Sequence, residues 1–274
     1  MRITLFIIVM LLISSNSFGQ VEGLQFGLSG GYSKGIMKNS VETFINTKLE
    51  DDEYFTQNLK FSLGENINFG ANINYLFFNK IGISLLYKYN FNSKVVFNEI
   101  NAIAGVIENN ERELSAKRHS IIPTIIINTD FEKLNSFFRI GASFNITKQI
   151  LTETINVDPN TTIYIWDYTG KGGVGFYSEL GLTYNFTKKI SGILGVSFET
   201  YNYIPDFSEI TETIINGRSN PDSGRLTIDS KKEFSEWISY QYSQNPDINN
   251  PLKLPQQTFT YNNIGLNIGI IYKL

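Results

Sequence analysis

Asn263-Ile264-Gly265-Leu266-Asn267-Ile268-Gly269-Ile270-Ile271-Tyr272-Lys273-Leu274 is the stretch whose reading decides the fold. Ile264, Leu266, Ile268, Ile270, Tyr272 and Leu274 share one parity, while Asn263, Gly265, Asn267, Gly269 and Lys273 share the other. Successive side chains of a strand point to opposite faces, so this alternation means a strand with one apolar and one polar face. A soluble sandwich or a lipocalin-like barrel would alternate too. Here the polar face is small and rich in Asn and Gly, and the apolar face carries an aromatic at its end. Together with an export signal at the other end of the chain, that favours a membrane barrel.

Seven further stretches repeat the pattern. They lie at about 24–33, 67–77, 81–91 (with a possible continuation to Phe97), 118–128, 137–147, 174–186 and 190–201. In the second, Ile67, Phe69, Ala71, Ile73, Tyr75 and Phe77 oppose Asn68, Gly70, Asn72 and Asn74. The fourth alternates worst, with Ile on both faces. The connections have a rhythm. Phe78-Asn79-Lys80, Thr129 to Asn135 and Thr187-Lys188-Lys189 are short, whereas the segments at about 34–65, 98–117, 148–173 and 202–257 are long. Short turns at one end and long loops at the other, with an even strand count, are the pattern of outer-membrane barrels with both termini in the periplasm. The expected fold is all-β, an eight-stranded antiparallel up-and-down transmembrane β-barrel with long extracellular loops.

Residues 1–19 read as a cleaved signal peptide, leaving 20–274 as the barrel domain. Arg2 is followed by an apolar run from Ile3 to Ile13, too short for the roughly 20 residues of a spanning helix. Ser17-Phe18-Gly19 fits a small-x-small cleavage site. The absence of cysteine excludes a lipid-anchored lipoprotein, a disulfide scaffold and thiol chemistry. No later stretch approaches about 18 consecutive apolar residues, so any membrane crossing must be by strands. A formal charge of −3 gives no reason to expect nucleic acid.

The long segments carry local signals of their own. Asn39-Ser40 precedes Val41, Phe44, Ile45 and Leu49 at helical spacing. Ser230-Lys231-Lys232-Glu233 is a capping-box pattern followed by Phe234, Trp237, Ile238 and Gln241. Asn216-Gly217 suggests a hairpin inside the last segment. Counting that hairpin into the barrel would give ten strands, but Ser219, Pro221 and several charges would then face lipid, so eight is preferred. Tyr32, Tyr75, Tyr87, Tyr89, Tyr184 and Tyr272, with Phe77 and Phe186, sit near strand ends, as aromatic girdles at two membrane interfaces would. Ordinary β-propensity also favours these residues.

An eight-stranded barrel is just wide enough for side chains to fill. Lys88, Arg139, Glu179 and Glu199 fall on inward parity, and buried charges must pair. They predict an ion-pair network across the lumen, either as a plug that fixes barrel shape or as part of a narrow gated pore. Signals for chemistry are sparse. His119 is the single histidine, its neighbour Ser120 points to the opposite face, and a His/Cys metal site is impossible. Glu50-Asp51-Asp52-Glu53 lacks the spacing of a calcium loop and reads as a solvated acidic tip. Gly170-Lys171-Gly172-Gly173 reads as turn chemistry. No catalytic, cofactor or metal residues are expected. The leading expectation is a non-enzymatic barrel acting through its loops; a narrow pore and, with His119 as its candidate residue, a lipid-modifying enzyme are the rivals.

Two resemblances follow. The end of the chain resembles the signal read by the barrel-assembly machinery, polar-x-Gly-x-x-aromatic-x-aromatic, with Asn267, Gly269, Tyr272 and Leu274 filling it and Leu in place of the usual final Phe. Ile121-Ile122-Pro123-Thr124-Ile125-Ile126 and Arg139-Ile140-Gly141-Ala142 resemble the PorT-like outer-membrane β-barrel family. That resemblance implies an eight-stranded barrel, some of whose relatives assist secretion, and it brings no active site. The expected partners are outer-membrane lipid, from the barrel, and the assembly machinery, from the terminal signal; the loop composition allows protein, glycan or nothing.

Overall fold

The computed structural model describes residues 23–36, 39–50, 53–77, 80–103, 106–129, 131–219, 231–235 and 252–274. The leader read at 1–19 lies outside the described residues. Eight strands close into an antiparallel barrel: β1 (Leu24–Gly35), β4 (Asn66–Phe77), β5 (Ile81–Asn92), β7 (Val106–Asn128), β8 (Leu134–Val157), β10 (Gly173–Asn185), β11 (Ile190–Thr200) and β18 (Asn263–Lys273). The terminal stretch completes the closure. It pairs with β11 on one side (Leu194↔Ile268) and with β1 on the other (Leu28↔Ile270), and the Leu274 N–H donates to the Leu24 carbonyl at 3.1 Å.

The alternation legible in sequence becomes an inside-out protein. On β4, Asn66, Asn68, Asn72 and Asn74 are buried, while Ile67, Phe69, Ile73 and Phe77 are exposed. The same holds around the barrel, with Leu28 at 70% and Ile268 at 68% exposed. The aromatics form two tiers. Tyr75, Phe77, Tyr184, Phe186 and Tyr272 sit at the short-turn end, where Tyr75 meets Phe77 at 4.9 Å and Tyr184 meets Phe186 at 5.4 Å. Tyr32, Tyr87 and Tyr89 sit at the other end.

The long connections differ from expectation. They read as loops with helical pieces, yet much of them is strand. The fourth and fifth strands, expected at 118–128 and 137–147, run as β7 and β8 through 23 and 24 residues. A crossing strand needs only about 9–11 residues, so both rise well beyond the barrel. The third strand stops at Asn92 rather than reaching Phe97, which belongs to a separate strand, β6 (Val95–Ile103). Strand β9 (Asn160–Thr169) adds to β8, and β13 (Phe207–Ile215), β15 (Lys231–Ser235) and β16 (Leu252–Pro255) follow in order. The helical spacing at Val41–Leu49 is overruled: Asn39–Glu50 is strand β2, paired with β3 (Glu53–Phe61). The same stretch also alternates β-branched Val41, Thr43, Ile45 and Thr47, a pattern that suits a hairpin. The capping box opens a strand too, since Lys231–Ser235 pairs with β13; its continuation at Trp237, Ile238 and Gln241 lies outside the described residues. The Asn216-Gly217 hairpin forms between β13 and β14 (Arg218–Ser219), with φ of 49° and 78° at the turn and Ile214 opposite Ser219. Both values suit the left-handed turn that joins two strands tightly. A two-stranded pair, β12 (Asn202–Tyr203) with β17 (Phe259–Thr260), lies beside the barrel rim.

Where β7 and β8 leave the barrel, their faces exchange roles. Along β7 the inward parity reads Ser120 and Arg118 within the barrel, then Ala116 and Leu114 above it, all buried. The outward parity reads Ile125 and Ile121, then His119 and Lys117. On β8 the exchange falls between Gln149 and Leu151 inside, and between Ile146 and Lys148 outside. Above that level the sheet encloses an ordinary apolar core of Phe61, Leu63, Phe97, Leu114, Leu151, Trp166, Tyr168, Ile210, Phe234 and Phe259. Cross-strand ion pairs lie on this upper sheet, Arg112 with Glu153 at 2.6 Å and Lys148 with Asp167 at 3.1 Å.

Candidate functional site

Among the described residues, the lumen is where fully buried charged side chains are drawn together. Lys88 projects from β5, Arg139 from β8, Glu179 from β10 and Glu199 from β11, and all four are buried as inward parity requires. They form two clusters rather than one continuous chain of ion pairs. Arg139 and Glu179 face each other across β8 and β10, with Nη1 donating to Oε2 at 3.0 Å. Lys88 Nζ lies 3.6 Å from Glu199 Oε2.

The residue missing from the sequence reading is Arg118, the largest fully buried side chain with Arg139. Its Nη2 donates to Glu199 Oε2 at 3.0 Å, and its Nη1 lies 2.9 Å from Oε1 as an ion-pair contact and donates to Asn145 Oδ1 at 3.5 Å. The parity that put His119 outward already put Arg118 inward. Its place in the run Lys117-Arg118-His119, at the margin of the worst-alternating strand, hid that signal.

Neutral groups tie the carboxylates into the wall. The Tyr177 hydroxyl donates to Glu179 Oε2 at 3.1 Å, and Asn267 Nδ2 donates to Glu179 Oε1 at 3.2 Å and to Ser197 Oγ at 3.0 Å. Asn267, read as part of an assembly signal, is thus also a member of the lumen network. Gly195 makes room for the Glu179 carboxylate: a Cβ there would lie 2.7 Å from Oε1. Gly181 does the same for the Phe137 ring. Of the other assembly-signal positions, Gly269 packs against the β1 backbone at Leu28 and Ser29, Tyr272 is exposed on the outer face, and Leu274 ends the strand at the rim.

Both ends of the lumen are stopped. At the long-connection end, Tyr201 and Tyr261 lie 5.7 Å apart with the Arg118 guanidinium 5.6 and 5.8 Å from their rings. Thr147 donates to the Tyr201 hydroxyl at 3.3 Å, and the Tyr261 hydroxyl donates to Gln149 Oε1 at 3.2 Å. Above them, burial pushes the phenols of Tyr168 and Tyr203 up from their ordinary range, and the Tyr203 hydroxyl donates to the Tyr168 carbonyl at 3.1 Å. At the short-turn end Phe137, Ile193 and Ile271 form an apolar cluster, and Leu86, Ile122 and Tyr177 form another between the two ends.

His119 takes no part. It faces outward, accepts or donates a hydrogen bond with the Tyr87 hydroxyl at Nδ1 (2.8 Å) and stacks near Tyr89, while Ser120 is buried on the opposite face against Asn145. Of the acidic tip, Glu50 and Glu53 pair across β2 and β3, and 51–52 lie outside the described residues. Gly170–Gly173 leads into β10 as turn chemistry would.

The chain matches no protein-family model and no curated protein. Among solved structures it is similar to neisserial surface protein A, at 9% identity over 92% of this chain and 98% of that one, with a TM-score of 0.41. It is also similar to Ail, the attachment invasion locus protein of Yersinia pestis, at 10% identity over 92% of this chain and 99% of that one, with a TM-score of 0.34.

Proposed function

We propose that this chain is an integral outer-membrane barrel, non-enzymatic and closed to ions, which holds a rigid β-sheet above the membrane as an interaction surface. The observation that carries the reading is the exchange of faces on β7 and β8. Below it, every barrel strand turns large apolar side chains outward, far more contiguous apolar surface than a soluble monomer leaves in water. Nine residues from Ile264 to Tyr272 span about 27 Å along a strand, or about 20 Å when tilted, close to the ~25 Å apolar band of such barrels. Just above it, Leu114, Ala116 and Leu151 turn inward and Glu113, Lys117 and Lys148 turn outward, as water requires, while Arg112 and Glu153 are paired where they share the inner face.

The short turns and both termini then face the periplasm, and β6, β9, β13, β15 and β16 stand outside the cell. A filled lumen supports the plug over the pore. The Ile121–Ile126 stretch supports a place near the PorT-like barrels. Tyr272 and Leu274 are free to serve the assembly machinery from the outer face and rim of β18.

The absence of native cysteine makes the orientation directly testable. On intact cells, a membrane-impermeant maleimide should label Arg218→Cys in the upper hairpin and leave Lys188→Cys unlabelled until the outer membrane is opened. Labelling in the reverse order would overturn the orientation, and equal labelling of both in a soluble fraction would overturn the membrane reading. Planar-bilayer recording of the purified barrel should show no stepwise conductance; stable single-channel steps abolished by Lys88→Met would replace the plug with the pore.

A further inference from the structure

Lys117 and Lys148 are direct partners across β7 and β8, at the level where the faces exchange. Both are exposed on the outward face. Like charges set opposite each other on one sheet face repel. Asp167 relieves Lys148, at 3.1 Å from its Nζ. Glu113, the nearby carboxylate further up β7 on the same face, is taken by Lys94 at 2.7 Å. Among the described residues no carboxylate pairs with Lys117. The pair therefore presents a positive charge that the protein itself leaves unanswered.

Directly below lies an apolar and aromatic surface. The register puts Phe91 of β5 beside Lys117, and Tyr89 of β5 and Ile146 of β8 on either side of His119. Tyr89 packs against Phe91 at 4.4 Å and against His119 at 4.6 Å. The Tyr87 hydroxyl meets His119 Nδ1 at 2.8 Å. In the neutral tautomer that accepts the phenol proton there, Nε2–H is left as a donor. One step lower the outward face continues through Phe144, 50% exposed, below Ile146 at 69%. A water-soluble acidic peptide would answer the lysines and leave this face uncovered. A ligand that matches both halves is anionic at one end and apolar at the other.

We propose that Lys117 and Lys148, above Tyr89, Phe91 and His119, form a docking site for the phosphate-bearing head group of an outer-leaflet lipid, whose acyl chains run down past Ile146. Lysine stems lie along apolar neighbours while their ammonium groups reach the polar layer, where each cation near anionic lipid adds attraction. The inference rests on the orientation proposed above, which sets the exchange of faces at the outer leaflet.

The test uses the full folded barrel in uncharged detergent, with binding read by native mass spectrometry. The probes are dioleoyl phosphatidic acid, uncharged dioleoylglycerol and inorganic phosphate. Phosphatidic acid should bind more tightly than dioleoylglycerol, and inorganic phosphate should not displace it. Lys117→Gln/Lys148→Gln should weaken phosphatidic acid roughly 30-fold, about fivefold for each lysine, and leave dioleoylglycerol unchanged. Lys80→Gln/Lys188→Gln, which removes two exposed lysines at the short-turn end, should change neither. Equal affinity for the two lipids, no loss in the Lys117/Lys148 variant, or an equal loss in the Lys80/Lys188 variant overturns the site. Displacement by inorganic phosphate refutes the lipid and leaves a site for free phosphate. Both variants replace exposed side chains, and the mobility of unheated samples on gels verifies that they fold. Reversed maleimide labelling overturns the orientation, and with it the outer leaflet, whereas the lipid contrast stands or falls by its own measurement.

Discussion

The lower and upper parts of β7 and β8 are continuous strands with opposite internal logic. In the barrel the inward face is Arg118, Ser120, Asn145 and Arg139, and the outward face is Ile121, Ile125, Phe144 and Ile140. In the sheet above, the inward face is Leu114, Ala116, Leu151 and Trp166, while Glu113, Lys117 and Lys148 turn away from that core. Nothing in the backbone marks the change, since the antiparallel ladder continues from Asn109↔Asn156 through Lys117↔Lys148 to Asn128↔Phe137. What changes is the surrounding medium. Lipid solvates apolar groups and leaves polar ones to find partners inside, and water does the reverse. The Lys117↔Lys148 pair therefore marks the outer boundary of the apolar band more sharply than any strand end.

Breaking the lower part's internal pairing should have the largest effect. Glu199→Gln leaves Arg118 and Lys88 without their carboxylate in a closed lumen, at a cost of about 3–5 kcal/mol. Urea unfolding in lipid vesicles, read by the mobility shift of folded barrel on unheated gels, measures it; a cost below about 1 kcal/mol would mean that water reaches the network. The upper part should fail differently. Leu114→Ala removes a side chain from the centre of the aromatic core at about 2–5 kcal/mol, and the loss should stay local. Hydrogen exchange should quicken across 95–103, 109–116 and 150–169 and stay unchanged across 264–272. If the barrel amides loosen equally, the two regions are one cooperative unit and the contrast drawn here fails.

Depth-dependent substitutions sharpen the boundary. Ile268→Arg, in the middle of the outward face of β18, should cost about 2–4 kcal/mol, and Ile264→Arg near its upper end about 0–1 kcal/mol. Equal costs would place the band elsewhere. The smallest effect belongs to the level of the exchange itself. Lys148→Ala removes the pair with Asp167, which is largely solvated on the lysine side, and should change stability by no more than about 1 kcal/mol. That small change should fall further in high salt, as screening of an exposed pair demands.

The same contrast explains which parts of this structure were legible. The barrel strands keep one phase from end to end, so Ile67–Phe77 or Ile264–Leu274 announces its faces without further help. The upward extensions of β7 and β8 were illegible because the apolar phase reverses near Arg118 and Lys148, and a reversed phase looks like the end of a strand. Arg118 was lost with that boundary, although it is fully buried and pairs with Glu199. The expected helix at Val41–Leu49 failed for a related reason. A short stretch satisfied a helical spacing and a strand alternation together, and pairing with Glu53–Phe61 decided between them.

By itself the amino-acid sequence determined the eight-strand count, the strand faces, the short-turn end and the inward placement of Lys88, Arg139, Glu179 and Glu199, because each follows from local alternation and connection length. Only the tertiary structure decided which carboxylate each cation meets, that Arg118 outranks Lys88 at Glu199, that Tyr201 and Tyr261 cap the lumen, and that the long connections join into one sheet. Those outcomes depend on register between strands far apart in the chain, as with Arg118 and Glu199, and on which medium surrounds each face. Neither is written in the order of residues along a single strand.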